Sequence, residues 1–224
     1  MKIAVLTGAG VSAESGIKTF RDSDGLWENY NVEDVASIDG WYRNPELVQN
    51  FYNDRRAQLE KAQPNQAHKL ISWMERDHDV TVITQNVDNL HERAGSTKVI
   101  HLHGELTKVR SVNNDDVTID IGYRRVEHGE KMPDGSLMRP FIVWFGEAVP
   151  MIEKAADIIS ECDLLLVVGT SLQVYPAAGL LYYAGNDVPV YLIDPKPMAV
   201  ASRKVVQIQD KATAGMREFI DRYL

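Results

Sequence analysis

The sequence predicts an α/β fold, a doubly wound parallel sheet (Rossmann-like) with a small inserted module. Three observations predict it. Short β-branched or aliphatic runs recur along the chain, several of them apolar throughout, as strands buried on both faces of a parallel sheet read. Stretches with helical spacing lie between them. The first run, Ile3–Thr7, leads directly into Gly8-Ala9-Gly10-Val11-Ser12-Ala13, a strand, a Gly-x-Gly-x-x-Ala turn and a helix start.

Taken in order, strands are expected at Ile3–Thr7, Val80–Thr84, Val99–Leu102, Phe141–Phe145, Leu164–Val168, Val188–Ile193 and Val205–Ile208. Asn44-Pro45 supplies an N-cap and N1 pair for a helix from Pro45 to about Lys61. Pro64-Asn65 precedes another over Gln66–Arg76, and Met151–Glu161, Pro176–Ala184 and Thr213–Tyr223 complete the set. Phe20 to Gly40 and Lys108 to Arg139 break the rhythm. A structureless loop of that length does not suit a compact domain, so these segments are read as inserted pieces. The expected division is one catalytic-size domain over 1–224. A Rossmann-like core covers about 1–19, 77–107 and 140–224. A small module is drawn from about 20–76, helical, and 108–139, where Val117, Ile119, Ile121 and Tyr123 alternate.

The chain has 224 residues, 44% hydrophobic and 25% charged, with a net charge of −8. That excess of acid repels phosphate backbones and argues against nucleic-acid binding. Cys162 is the only cysteine, so no internal disulfide and no cysteine-based zinc site is expected. The Ile3–Leu6 run is too short for a signal-peptide core, and Gly169-Thr170-Ser171, Gln173 and Pro176 interrupt the apolar Leu164–Gly185 region. No membrane association and a cytoplasmic location are the expectation. The short chain is compatible with a monomer.

Small residues at 8–13 let backbone approach a pyrophosphate, and the following helix start offers N–H donors. A hydride-transfer enzyme would next show a second strand and an acidic ribose ligand about 20 residues on; Gly16-Ile17-Lys18-Thr19-Phe20-Arg21-Asp22 stands there instead. Polar clusters then follow four of the apolar runs: Gln85 to His91, His103-Gly104, Gly146-Glu147 and Gly169-Thr170-Ser171. An open α/β sheet binds its ligands at such strand ends, so one shared crevice is expected.

These motifs, Gly8-Ala9-Gly10-Val11-Ser12, Gly16 to Arg21, Thr84-Gln85-Asn86-Val87-Asp88-Asn89-Leu90-His91, His103-Gly104, Val143-Trp144-Phe145-Gly146-Glu147 and Gly169-Thr170-Ser171, together resemble the sirtuins, NAD-dependent protein-lysine deacylases. The resemblance implies that NAD is consumed as a co-substrate: the acyl group of an acylated protein lysine passes to ADP-ribose and nicotinamide leaves. It implies His103 as general base and Asn86 as a catalytic partner holding the ribose or a water. It places Gly8, Ala9, Gly10, Ser12, Ala13, Phe20, Arg21, Trp27, Gln85, Asn86, Asp88, Gly169, Thr170, Ser171, Asp194 and Ala212 around NAD. Val143, Phe145 and Gly146 fall on the acyl-lysine side. His91 reads as a structural hydrogen-bonder, and Asp88 has the alternative of a helix cap. A metal at His101 and His103, which a strand would point the same way, is not expected. Other NAD-consuming chemistry, ADP-ribosyl transfer or NAD glycohydrolysis, is the alternative.

The sequence departs from the family in two places. Most sirtuins carry four zinc cysteines after the His-Gly motif; 108–139 has none, and Ser111 stands where a first ligand would fall. Near Asp194 the family often has Asn. Finally, Tyr52 and Arg55 stand three apart on the expected helix and share a face. The pair resembles that of the sirtuin class removing succinyl, malonyl or glutaryl groups, a hydroxyl and a guanidinium fork suited to a carboxylate. Arg56 is expected to project elsewhere, into solvent.

Overall fold

The computed structural model describes residues 1–18, the backbone of 26–27, and residues 30–198, 200 and 205–224. In chain order the elements are β1 (Lys2–Thr7), α1 (Gly10–Ala13), β2 (Leu26–Trp27), β3 (Tyr30–Asn31), α2 (Val32–Val35), α3 (Ile38–Arg43), α4 (Pro45–Lys61), α5 (Gln66–Met74), β4 (Asp79–Thr84), α6 (Leu90–Arg93), β5 (Val99–His101), β6 (Gly104–Ser111), β7 (Thr118–Asp120), β8 (Met138–Ile142), α7 (Ile152–Ser160), β9 (Leu164–Val168), a 3₁₀ helix (Ala177–Tyr183), β10 (Val190–Ile193), β11 (Val206–Ile208) and α8 (Ala212–Tyr223).

Six strands form one parallel sheet in the order β11-β10-β9-β1-β4-β5. The two-residue period of a strand sorts its side chains between two layers. Ile3 and Val5 of β1 and Leu164 and Leu166 of β9 face a core completed by α5 and α8. Ala4 and Leu6, with Leu165 and Val167, face the opposite core, completed by α7 and the 3₁₀ segment. All five residues of β9 are buried, which is why its sequence shows no alternation.

The helix boundaries follow local chemistry. The Asn44 side chain accepts from Leu47 N–H at 3.0 Å, and Pro45 opens α4 without losing a needed donor. Asn65 accepts from Ala67 N–H at 2.8 Å, while His68 Nδ1 accepts from Asn65 N–H at 3.3 Å, closing a capping box at α5. The stretch expected as a helix over Pro176–Ala184 is instead the 3₁₀ turn Ala177–Tyr183, with Gly179 N–H bonded to Pro176 O at 2.9 Å.

A second correction concerns Phe141–Phe145. Its apolar run read as a strand of the parallel core. The strand lies at Met138–Ile142 and pairs antiparallel with β6, which also pairs with β7. Residues 104–107 and 140–142, placed with the core, therefore belong to a three-stranded antiparallel sheet. Only Phe141 and Ile142 of that run lie in β8; Ile142 and Trp144 are buried while Phe141 and Val143 are half-buried and Phe145 is exposed, so one packed face underlies a run whose residue types are apolar throughout.

The antiparallel sheet is held without cysteine. Val109, Val126, Met132 and Met138 form its core, with Val117, Ile119 and Ile121 packed against them. Ser111 is fully buried; its Oγ lies 2.6 Å from Ser136 Oγ and accepts from Asn113 and Asn114 N–H at 3.0 and 3.1 Å. Hydrogen bonds thus tie this part of the module together. No group of three His, Cys, Asp or Glu side chains placed to hold a metal occurs among the described residues. Elemental analysis of purified protein is expected to find no stoichiometric zinc, and a chelator is expected to leave the melting temperature unchanged; one equivalent of zinc would contradict this. Among the described residues, no helix is long and apolar enough to cross a membrane.

Candidate active site

The loops after β1, β4, β5 and β9 leave the same edge of the parallel sheet. The loop after β1 is clamped to the loop after β9. Gly8 N–H donates to Val168 O at 3.1 Å and Gly10 N–H to Gly169 O at 2.8 Å. The sequence reading offered both amides to phosphates; the fold uses them internally, leaving Ala9 N–H of that pair of turns without a partner among the described residues. A Cβ at Gly10 would stand 2.7 Å from Gly169 Cα, and Gly169 itself has φ +63°. Only glycine permits this approach. Ala13 ends α1.

Behind this contact lies a buried polar network. Asn86 Nδ2 donates to Ser12 Oγ at 3.1 Å, and the Ser12 hydroxyl donates to Asp88 Oδ2 at 2.9 Å. Asp88 Oδ1 accepts from Leu90 N–H at 3.1 Å, so the cap role and a place beside Ser12 and Asn86 coexist. Burial raises the Asp88 pKa above the usual carboxylate value, against the bonds from Leu90 and Ser12. Because His68 Nδ1 accepts from Asn65, its proton sits on Nε2, 3.3 Å from Ser12 Oγ. Burial pushes His68 down to about 4, so it is neutral near pH 7. The Thr7 hydroxyl donates to Thr84 Oγ1 at 2.8 Å, and Thr84 Oγ1 also accepts from Asn86 N–H at 3.0 Å. His91 is fully buried with Nε2 at 3.1 Å from Thr7 Oγ1, and burial holds it well below the ordinary histidine value. Thr7 and His68 are not among the residues picked from the sequence, and Thr84 enters only as the first residue of the Thr84–His91 motif. A signal existed: each threonine is the fully buried last residue of its strand, where a hydroxyl needs a hydrogen-bond partner.

The two histidines at the end of β5, His101 within it and His103 just after, do different things. His101 Nδ1 lies 2.9 Å from Asn86 O and its Nε2 2.7 Å from Glu92 Oε1. Burial opposes its charge, but the hydrogen bond and charge of Glu92 outweigh that and hold its pKa above the ordinary value. His103 Nδ1 lies 3.0 Å from Gln85 O. A carbonyl only accepts, so Nδ1 carries the proton and Nε2 is the basic atom. Burial lowers the His103 pKa, partly offset by the Gln85 carbonyl. The imidazole is thus neutral at pH 7. Consecutive carbonyls of the loop after β4 are pinned by alternate residues of the next chain segment, which fixes Gln85 and Asn86 in place. Gln85 Nε2 also donates to Thr170 Oγ1 at 3.0 Å, tying three of the loops together. Thr170 is buried and Ser171 half-buried.

On the other side, Val143 N–H donates to His103 O at 2.9 Å, and Phe145 exchanges backbone bonds with Ala36 O and Ile38 N–H at 2.9 and 3.0 Å. Residues 143–145 therefore run between His103 and α3. Phe145 is 50% exposed, and Gly146 follows at φ +92°. Tyr52 is buried on α4, and Arg55 is half-buried one turn on, its guanidinium 4.9 Å from the Phe51 ring centre. Asp194 is buried after β10, its Oδ1 accepting from Lys196 N–H at 3.0 Å, and Ala212 is the buried first residue of α8. Phe20, Arg21 and the side chain of Trp27 lie outside the described residues.

Arg56 is a correction. Expected in solvent, it is fully buried. It donates to Asn53 Oδ1 at 2.6 Å and to Leu106 O at 3.4 Å, and burial lowers its pKa to about 10. Asn53 in turn bonds Val126 N–H and O at 2.9 and 2.8 Å. A single helix read alone shows one apolar face; α4 also contacts the antiparallel sheet, and Gln49, Asn53 and Arg56 are buried while Asp54, Gln58 and Glu60 stay exposed.

Comparisons with known proteins agree with this architecture. Residues 8–176 match the model of the Sir2 family. The chain is 53% identical to an NAD-dependent protein deacylase of Bacteroides thetaiotaomicron, over 96% of this chain and 95% of that one. It is 47% identical to an NAD-dependent protein deacylase of Helicobacter pylori, over 99% and 97%. Among solved structures, a Sir2 homologue in complex with NAD superposes with a TM-score of 0.88 at 37% identity, covering 98% of this chain and 88% of that one. A Sir2 protein bound to an acetylated peptide superposes with a TM-score of 0.80 at 30% identity, over 98% and 92%. These proteins are alike over almost their whole length, and the chain belongs to the Sir2 family.

Proposed function

We propose that this Sir2-family enzyme, an NAD-dependent protein deacylase, acts in the cytoplasm and removes acidic acyl groups, succinyl and malonyl, from protein lysines in preference to acetyl. The observation that carries the acyl preference is the pairing of Tyr52 and Arg55 on one face of α4, a hydroxyl and a cation beside each other in a largely buried setting.

The residues present fit a dinucleotide. Small residues at 8–13 bring backbone to the crevice, and the donors and acceptors of Gln85, Asn86 and His103 stand beside them, Asn86 bonded to Ser12 itself. NAD, when bound, supplies the glycosidic carbon that the acyl oxygen attacks. The chain's own residues position and deprotonate. His103 Nε2 takes a proton from a ribose hydroxyl, its Nδ1–H held on Gln85 O. Asn86, oriented by Ser12 and by its own N–H on Thr84, holds the ribose or a water. Asp88, with a raised pKa and beside Ser12, faces the nicotinamide amide. Val143, Phe145 and Gly146 receive the acyl-lysine backbone and stem.

Arg55→Met is expected to lower kcat/KM for a succinyl-lysine peptide by about 100-fold, the loss of a charge-assisted bond of roughly 2–3 kcal/mol, and to lower deacetylation far less. Mass spectrometry of paired succinyl- and acetyl-lysine peptides with NAD measures both. Equal losses on the two peptides would sink the acidic-acyl reading.

A further inference from the structure

Trp144 lies in the segment that faces the acyl-lysine, yet it is only 2% exposed. Its indole Nε1–H donates to the Tyr52 hydroxyl oxygen at 2.8 Å. Its ring packs against Trp41, centroids 5.4 Å apart, and lies 3.7 Å from the Arg139 guanidinium, which is also 6.0 Å from the Trp41 ring. Arg139 is itself 3% exposed and is gripped by Glu147, Nη1 to Oε1 at 2.8 Å and Nη2 to Oε2 at 3.0 Å. The same carboxylate accepts from Trp144 N–H at 2.9 Å. The indole thus has a fixed position and a fixed tilt.

This matters because of what an indole can do. Its N–H only donates, whereas a phenol can donate or accept. The bond therefore commits the Tyr52 oxygen as acceptor on the Trp144 side and turns its proton away. Tyr52 is 1% exposed, and among the described residues its O–H donates to no acceptor. A buried donor with no partner costs free energy unless a ligand completes it. Arg55 follows three residues on along α4, on the same face of the helix.

We infer that Trp144, locked by the Arg139–Glu147 pair, is a positioning residue that fixes the Tyr52 hydroxyl as a donor toward the carboxylate of an acidic acyl group, and so sets acyl preference without touching the substrate. The inference rests on the acidic-acyl reading. Trp144 also links that preference to peptide binding, since Val143 and Phe145 flank it and Val143 N–H is bonded to His103 O.

The test is Trp144→Phe, which keeps an aromatic ring beside Trp41 and Arg139 and removes the N–H donor. KM for a succinyl-lysine peptide is expected to rise about tenfold, the loss of one hydrogen bond, with kcat within about twofold. Deacetylation should change several-fold less. In a Tyr52→Phe background the same substitution should add no further loss, because the two act through one bond. A parallel fall on both peptides, or a full additional loss in the Tyr52→Phe background, overturns the inference. Arg55→Met, assayed alongside, separates the two failures. Selective loss in Arg55→Met with none in Trp144→Phe overturns this inference alone. No selective loss in Arg55→Met overturns the acidic-acyl reading and this inference with it.

Discussion

His103→Ala is expected to lower kcat/KM by at least 100-fold, and up to about 10,000-fold, the range for loss of a positioned general base. The expectation comes from tautomer and burial together. With Nδ1–H on Gln85 O, the basic Nε2 is the atom left to receive a proton. Burial lowers the pKa, so the neutral, active form persists below the ordinary histidine value of about 6.5. The sign is fixed: activity is lost as pH falls through the depressed pKa. The acid limb of kcat/KM in the native enzyme should therefore lie below about pH 6.5, and it should vanish in His103→Ala. Nicotinamide release with an acylated peptide measures both quantities. Residual turnover within tenfold of the native enzyme would place the base elsewhere.

Glu147→Ala should produce the largest loss of stability. Arg139 is 3% exposed and keeps its charge whether or not a partner is present, while Glu147 supplies both oxygens of a two-pronged pair and also accepts from Trp144 N–H and Arg110. Breaking such a pair from one side strands a buried cation, at a cost of about 3–5 kcal/mol. For a chain of this size that corresponds to a fall of roughly 10 °C in melting temperature. Removing both partners, Arg139→Met with Glu147→Leu, should cost less than Glu147→Ala alone, because no charge is then left uncompensated. Thermal unfolding of the three proteins decides the matter; a shift below about 3 °C for Glu147→Ala would show that water reaches Arg139 and that the pair is not a buried one.

Much of the parallel core was legible in the sequence. The Ile3–Thr7, Val80–Thr84 and Leu164–Val168 runs are strands, shifted by no more than a residue at either end. Their signal is local: burial on both faces leaves an apolar run with turn residues on each side. The Asn44-Pro45 and Asn65 starts were equally legible, since a cap is a contact made within one turn. Of the candidate site, the residues themselves were visible as polar clusters after strands. Their bonds were not. That Asn86, Ser12 and Asp88 meet in one chain of hydrogen bonds spans 74 and 76 positions in sequence, and no local pattern records it.

Arg56 and β8 show the limit more sharply. An arginine at the end of a Tyr-x-x-Arg-Arg stretch reads as solvated, because nothing within a helical turn says that a second sheet covers that side of α4. The apolar run around Phe141 reads as a core strand because all its residues are apolar; that only Ile142 and Trp144 are buried, and that the strand pairs with β6, is decided by packing.

Composition, local periodicity and turn chemistry by themselves determined the α/β class, the helix starts, the glycine loop and the absence of cysteines for a metal. These depend on contacts within a few residues, or on which residue types exist at all. Only the tertiary structure decided which strand joins which sheet, which tautomer His103 takes, and that Arg139, Glu147, Trp144 and Tyr52 form one unit. Those outcomes depend on desolvation and on donors meeting acceptors from distant parts of the chain, and both are properties of the packed molecule.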